Sequence, residues 1–190
     1  MPDYTRLPIG ARAPQLVNAV IEIPKGSVNK YEYDKDMHVF RLDRTLFSPV
    51  HYPGDYGFIP CTLSRDGDPL DVLVLLEAAT FPGCLIEVRP IGVLRMIDQG
   101  KSDEKILAVA ESDPLYREVN DYPQMFTHTL REIEHFFSIY KSLEGKQTEI
   151  AGWDGVEAAR RIISEGQRRL QERVPDGNQR RQSTTLHKES

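Results

Sequence analysis

The residues best suited to carry chemistry are three aspartates of one short loop, Asp66, Asp68 and Asp71. Gly67 and Pro69 lie between them, and since glycine permits a tight turn while proline opposes a helix, the segment is predicted to be a loop. Carboxylates held this close repel one another and need protons or cations. Oxygen ligands favour hard ions such as Mg²⁺, Mn²⁺ or Ca²⁺. A solvated, aspartate-rich turn is the alternative, and this motif alone leaves both open.

Further acidic side chains lie on either side of this aspartate loop (residues 66–71). Asp98 and Asp103 flank a glycine-containing turn, and Lys105 follows them. By itself that pattern is more typical of a surface turn. Glu22 and Glu32 each stand in an otherwise apolar or aromatic stretch, and a glutamate that faced an apolar interior would need a partner. These residues extend the candidate acidic site.

Basic and hydroxyl-bearing side chains accompany the carboxylates. The candidates are Lys30, Arg44, Tyr52, Tyr56, Tyr140 and Lys141. Lys30 and Glu32 share a strand face by the two-residue period. A tyrosine can donate a hydrogen bond to an anion from an apolar body. Taken singly, each of these residues is more typical of a solvated face or of core packing.

Short strands are predicted to position these residues. An apolar run at 72–76 directly follows the aspartate loop and indicates a buried strand. The other predicted strands cover residues 17–23, 30–33, 39–42, 86–94 and 105–110, the last of these ending the series. The segment 52–57 is rich in turn formers and is predicted to be a turn. Short strands this closely spaced predict a small barrel or sandwich.

Two amphipathic helices follow. Their apolar residues recur three or four positions apart, at Phe126, Leu130, Ile133, Phe137 and Tyr140 in the first and at Val156, Ala159, Ile163 and Leu170 in the second. Asp154 and Glu157 resemble a capping box, and the second helix should end near Arg173. The polar segment 175–190 is predicted to be a disordered tail. A single domain over residues 1–174 is therefore expected.

Composition narrows the classes of protein. The chain has 190 residues, of which 39% are hydrophobic and 28% charged, and this suits one globular domain. A net charge of −5 argues against nucleic-acid binding by charge alone. Cys61 and Cys84 form no CxxC pair, which suits a reducing compartment. No signal core or membrane span is recognised, so a cytoplasmic protein without membrane contact is expected.

Taken together, these stretches resemble the soluble, Mg²⁺-dependent inorganic pyrophosphatases of family I. The resemblance runs from about residue 21 to residue 153. The segments that carry it are Glu22-Ile23-Pro24, Lys30-Tyr31-Glu32, Asp43-Arg44, residues 52–60, 66–71 and 96–105, and Tyr140-Lys141. The D-G-D-P-x-D motif is specific, and the other segments follow in the right order. Arg95 departs from the pattern, since many relatives have lysine there.

The resemblance implies a mixed β/α fold, a five-stranded OB-like β-barrel with flanking α-helices. It also implies a cytoplasmic homo-oligomer, commonly a hexamer, that acts on pyrophosphate. Several Mg²⁺ ions per site are implied, with Mn²⁺ or Zn²⁺ as substitutes. The implied metal ligands are Asp66, Asp71, Asp98, Asp103, Glu22 and Glu32, the two glutamates partly through bound water.

The resemblance also assigns roles toward the substrate. Asp68 and Tyr56 border the attacking water, with Asp68 as general base, and Tyr52 lies behind them. The side chains implied to grip phosphate oxygens are Lys30, Arg44, Tyr56, Lys105, Tyr140 and Lys141. These carboxylates outnumber the basic side chains, so divalent ions must load before a polyanion can enter. Such ions would also neutralise a departing phosphate.

Two other classes of protein remain open on the residues alone. A different two-metal enzyme, such as a nuclease or a nucleotide hydrolase, would also need acidic clusters. It would further need a surface for base or sugar, and neither a P-loop nor a basic groove is evident. An OB-type module that only binds nucleic acid would need exposed aromatic side chains in a positively charged groove. In this sequence the aromatics neighbour carboxylates.

Overall fold

The structure, a computed structural model, describes residues 3–173. The predicted tail at 175–190 lies outside the described residues. Eight strands and two α-helices are found among those that are described. In chain order these elements are β1 (Val17–Ile23), β2 (Asn29–Asp34), β3 (Val39–Thr45), β4 (Asp55–Ile59), β5 (Leu70–Leu75), β6 (Leu85–Asp98), β7 (Lys101–Ala110), α1 (Thr127–Ile139), β8 (Thr148–Gly155) and α2 (Val156–Arg173).

Six of the strands form one sheet. Its order is β1-β4-β5-β7-β6-β8, and β1 also pairs with β6, so the pairings lead from β1 through four other strands back to β1. All of these pairings are antiparallel except that of β5 with β7. The fold is therefore mixed β/α, mostly strand with two helices, as the sequence predicts.

The β2–β3 hairpin forms a separate two-stranded sheet. It is joined to β1 by the Glu22 carboxylate, whose Oε1 accepts a hydrogen bond from the Tyr33 backbone N–H at 2.7 Å. The hairpin carries Lys30 and Glu32 on β2 and Arg44 on β3. Its attachment to β1 places these side chains beside the main sheet.

Strand β5 lies at the centre of the core and is buried on both faces. Val72 and Val74 pack in a cluster with the apolar residues of α2, whereas Leu73 and Leu75 pack in a second cluster with those of α1. This arrangement explains the continuous apolar run, because a strand covered on both sides needs no polar alternation. The aspartate loop therefore enters a rigid element.

Several local predictions are wrong. Residues 55–57, the second half of the turn predicted at 52–57, instead begin a buried strand that runs to Ile59. The glycine that suggested a turn, Gly57, is needed because a Cβ there would lie 1.9 Å from the Val20 carbonyl oxygen of the paired strand β1. The strand 105–110 begins earlier, at Lys101, and is not the last, because β8 follows α1. Neither helix of the described part is long and apolar enough to cross a membrane.

The helices also differ in detail. Both helices form where the spacing predicts. Phe126, which was assigned to the buried face of the first helix, precedes α1 and is 75% exposed. Phe136 is part of that buried face instead. The capping box is wrong: Asp154 lies in β8, where its Oδ2 accepts a hydrogen bond from Arg95 Nε at 2.6 Å. The first amide of α2 instead donates to Asp121, a residue far away in sequence.

Candidate active site

A cleft of about 430 Å³ gathers the predicted site residues. Its walls come from β1, the β2–β3 hairpin, the aspartate loop, the β6–β7 pair and the end of α1. The predicted residues that line it are Glu22, Lys30, Glu32, Tyr52, Tyr56, Asp66, Asp68, Asp71, Asp98, Asp103, Lys105, Tyr140 and Lys141. Arg44 is absent from this set.

The aspartate loop is held by its own backbone. Asp66 Oδ1 accepts a hydrogen bond from the Asp68 N–H at 3.1 Å, and the Asp68 carbonyl accepts one from the Ser64 N–H at 2.7 Å. Gly67 has φ +99°, a left-handed conformation that other residues rarely adopt. The turn separates two carboxylates, since the Asp68 side chain is 70% exposed and that of Asp71 33%.

The inner end of the cleft is organised by strand register. Strands β5 and β7 are parallel neighbours with Val72 opposite Ile106, so Asp71 and Lys105, one residue earlier on each strand, lie side by side. Lys105 Nζ, on a side chain that is 6% exposed, bonds to Asp71 and donates to Asp103 Oδ1 at 2.6 Å. We call these three residues the inner cluster.

The inner cluster shifts the titration of its members. Burial alone lowers the pKa of Lys105, but the carboxylates of Asp71 and Asp103 outweigh it and raise that pKa well above its ordinary value. Burial raises the pKa of Asp103, although Lys105 opposes the shift. Burial, with Asp71 and Asp103 nearby, also raises the pKa of Tyr56 far above its usual range. Tyr56 is therefore a neutral hydrogen-bond donor.

A second lysine–aspartate pair stands beside the end of α1. Lys141 Nζ donates to Asp98 Oδ2 at 2.5 Å and lies 5.0 Å from the centre of the Tyr140 ring. The other oxygen, Asp98 Oδ1, is buried and has no hydrogen-bond partner among the described residues. Burial raises the pKa of Tyr140, so its hydroxyl also stays protonated. An unpartnered buried carboxylate oxygen is a feature that a bound cation would satisfy.

Glu22 is the most perturbed carboxyl group of the cleft. Burial raises its pKa to about 7, against the lowering effect of the hydrogen bond from the Tyr33 N–H, and the nearby Asp71 raises it further. The sequence places Glu22 in an apolar strand and predicts that it needs a partner. The partner found is the Tyr33 backbone N–H, and the positive charge of Lys30 also lowers the pKa of Glu22.

The β2–β3 hairpin contributes the outer rim. Lys30 Nζ bonds to Glu32 on the same strand face, as the two-residue period predicts, and lies 3.4 Å from Asp43 Oδ2. At the hairpin tip, Lys35 Nζ donates to Asp68 Oδ1 at 2.6 Å. Sequence reasoning missed Lys35, because residues 34–36 have the local signature of a turn and only the folded hairpin brings its tip to the aspartate loop.

Arg44 lies outside the lining of the cleft. Its Nε donates to Glu144 Oε1 at 2.8 Å, and its Nη1 donates to Asp43 Oδ2. Burial alone lowers the pKa of Arg44, but the two carboxylates outweigh it and raise that pKa. Glu144, only 7% exposed, was also missed, because no local pattern links it to a strand 100 residues away.

The cleft carries an excess of negative charge. Among the described residues, eight carboxylates and four lysines line it, which leaves four negative charges when all are ionised. No group of three or more Asp, Glu, His or Cys side chains within residues 3–173 is already gathered around one point as a metal site. Lysines stand between the carboxylates instead. An all-oxygen donor set with surplus charge suits hard divalent ions.

The sequence matches a known family over most of its length. A family model described as inorganic pyrophosphatase matches residues 19–171. An inorganic pyrophosphatase from Halalkalibacterium halodurans is 53% identical over 152 residues, which cover 80% of this chain and 93% of that protein. One from Synechocystis sp. is 54% identical over 163 residues, covering 86% of this chain and 96% of that protein.

Solved structures agree with the sequence match. The crystal structure of inorganic pyrophosphatase from Thermus thermophilus superposes with a TM-score of 0.87 at 42% identity. The superposition covers 90% of this chain and 99% of that one. The residues matched by the family model, 19–171, include the aspartate loop and most of both helices.

Proposed function

We propose, since this chain belongs to the inorganic pyrophosphatase family, that it hydrolyses pyrophosphate to two phosphates in the described cleft. The observation that carries the proposal is the inner cluster, in which a buried lysine is held between two carboxylates at the mouth of β5. Anion-binding and cation-binding groups are thus interleaved, as a reaction between a polyanion and divalent ions requires.

Family I pyrophosphatases are metal-dependent, and the residues of the cleft fit such ions. The oxygens that would hold them are those of Asp66, Asp71, Asp98, Asp103, Glu22 and Glu32. We propose Mg²⁺ as the ion, several to a site, with Mn²⁺ or Zn²⁺ as substitutes. When bound, the ions supply the positive charge that the cleft lacks and lower the pKa of water.

We assign the proton transfer to Asp68. Its carboxylate is 70% exposed and pairs with Lys35 at the rim, so it can accept a proton from the attacking water and pass it to solvent. Tyr56, protonated and 8% exposed, donates to the oxygen that becomes negative. Lys30, Lys105, Tyr140 and Lys141 bind the remaining phosphate oxygens, and Arg44 joins them from outside the lining.

Other features of the family resemblance stay predictions. The ring of pairings from β1 back to β1 supports a five-stranded OB-like barrel. A homo-oligomer, with six copies as the expected number, and a cytoplasmic location are carried over from the resemblance. Analytical ultracentrifugation of the full chain measures the number of copies directly.

Phosphate release tests the proposed function. We expect release from pyrophosphate with Mg²⁺ and no release after the metal is removed by a chelator. ATP under the same conditions should react far more slowly, because neither a P-loop nor a basic groove for a nucleotide is evident in the sequence. Faster hydrolysis of ATP or of an oligonucleotide than of pyrophosphate would contradict the proposal and favour a different two-metal enzyme.

A further inference from the structure

The structure assigns to Glu144 a positioning role: we propose that it holds Arg44 in register with Lys141, so that side chains from two distant segments act on the same phosphate group. The proposal rests on the proposed function, and it concerns a residue that carries no role in the reaction by the resemblance. Glu144 is 7% exposed and bonds two cations at once.

Glu144 is linked to Lys141 through the backbone. Residues 142–144 form one turn of 3₁₀ helix directly after Lys141, and the Glu144 N–H donates to the Lys141 carbonyl at 3.0 Å. The Lys146 N–H donates to the same carbonyl at 3.3 Å. The Glu144 side chain therefore moves with Lys141, which faces the cleft and pairs with Asp98.

Glu144 is linked to Arg44 through its side chain. Glu144 Oε1 accepts from Arg44 Nε at 2.8 Å, and Oε2 lies 3.2 Å from Lys146 Nζ. Arg44 and Lys146 lower the pKa of Glu144 although its burial acts in the opposite direction, so the carboxylate is ionised at neutral pH. A second contact lies nearby: Ser48, just after β3, donates to the Ile139 carbonyl at the end of α1.

One nitrogen of the Arg44 guanidinium is left for a phosphate group. Arg44 Nε donates a hydrogen bond to Glu144, and Arg44 Nη1 donates one to Asp43. Nη2 has no acceptor among the described residues. A planar guanidinium held at two nitrogens points its third in a fixed direction. Since a carboxylate that accepts from Nε removes much of the rotational freedom of the side chain, less entropy is lost when a phosphate binds. Glu144 thus contributes to substrate affinity without touching the substrate.

The test is a double-mutant cycle on the full chain with Mg²⁺ and pyrophosphate. Glu144→Gln keeps the shape but removes the charge. We expect KM for pyrophosphate to rise about tenfold, the loss typical of a hydrogen bond between charged groups, with kcat nearly unchanged. Inhibition by inorganic phosphate should weaken in parallel. Glu149→Gln, an exposed glutamate of β8, is the matched control and should leave both constants unchanged.

The Arg44→Gln background separates positioning from general stabilisation. If Glu144 acts through Arg44, adding Glu144→Gln there should change KM by less than about twofold, since coupled sites are not additive. An equal tenfold rise in both backgrounds overturns the proposal, and so does a KM for Glu144→Gln equal to that of Glu149→Gln. Wild-type protein that releases no phosphate would instead refute the proposed function itself.

A second variant, Glu144→Asp, distinguishes a loss of positioning from a loss of folding. Glu144→Asp keeps the charge but shortens the side chain, so the contact with Nε is lost while the site stays ionised. It should raise KM in the same direction, and only in the presence of Arg44. Thermal unfolding of each variant is recorded beside the kinetics. A lowered melting temperature with unchanged KM in this variant would show a merely structural role and overturn the inference.

Discussion

The inner cluster and the outer rim of the cleft both contain ion pairs between lysine and aspartate, but these pairs differ in burial. Lys105 is 6% exposed and bonds both Asp71 and Asp103. Lys35 is 47% exposed and meets Asp68, itself 70% exposed, at 2.6 Å. Exposed pairs contribute little to stability, whereas a buried charge depends on its partners. The inner pairs are therefore expected to stabilise the fold when no metal or substrate is bound, whereas the exposed pair at the rim is expected to contribute little.

The largest difference between rim and inner end is expected when Asp68 and Asp71 are each replaced by asparagine. Asp68→Asn keeps the shape but cannot accept a proton, so turnover should fall by about 10²–10⁴-fold with Mg²⁺ affinity little changed. Asp71→Asn, at the inner end, should lose metal affinity together with rate. Calorimetric titration with Mg²⁺ and pyrophosphate turnover are measured for each variant. If Asp68→Asn loses metal as severely as Asp71→Asn, Asp68 is a ligand and the assigned proton transfer is wrong.

Removing the lysine of the inner cluster should give the next largest effect. Lys105→Met leaves two neighbouring carboxylates without their shared cation, so the free energy of unfolding without metal should fall by about 3–5 kcal/mol. Urea denaturation measures this. Lys101→Met, at the exposed start of the same strand, is the matched control and should change stability little. Equal effects of the two substitutions would refute the distinction between core and rim.

The smallest effect is expected at the rim. Lys35→Met breaks a half-exposed ion pair, and the free energy of unfolding should change by no more than about 1 kcal/mol. The cost should shrink further in high salt, because an exposed pair is screened. A loss comparable to that of Lys105→Met, measured by the same urea titration, would mean that the hairpin tip supports the aspartate loop structurally.

The predictions that succeeded depended on short-range patterns. The turn at 66–69, the buried strand behind it and both amphipathic helices follow from turn formers and hydrophobic periodicity. The strand begins at Leu70, so Asp71 belongs to β5 and not to the loop as predicted. The resemblance to family I pyrophosphatases is confirmed by the family match and by the solved structures. Every predicted side chain of the site except Arg44 lines one cleft.

The predictions that failed depended on neighbours far away in sequence. Gly57 suggested a turn, but it serves the close approach of β4 to the carbonyl of Val20. Within residues 3–173, strand β8 pairs with β6 alone, and its polar and glycine-containing sequence gives no alternating apolar signal. Asp154 has the spacing of a helix cap, yet Arg95 binds it and Asp121 takes its place.

The sequence alone determined which chemical groups are available and how the aspartate loop turns, because Gly67 and Pro69 act on their immediate neighbours. Only the tertiary structure decided which charges meet. Asp71 lies beside Lys105 because β5 and β7 pair in parallel with a particular register. Arg44 lies outside the lining because Glu144, on another segment, accepts its Nε hydrogen bond. A hydrogen-bonded ion pair forms only when its two charged groups are in contact, and the chain topology decides which groups come that close.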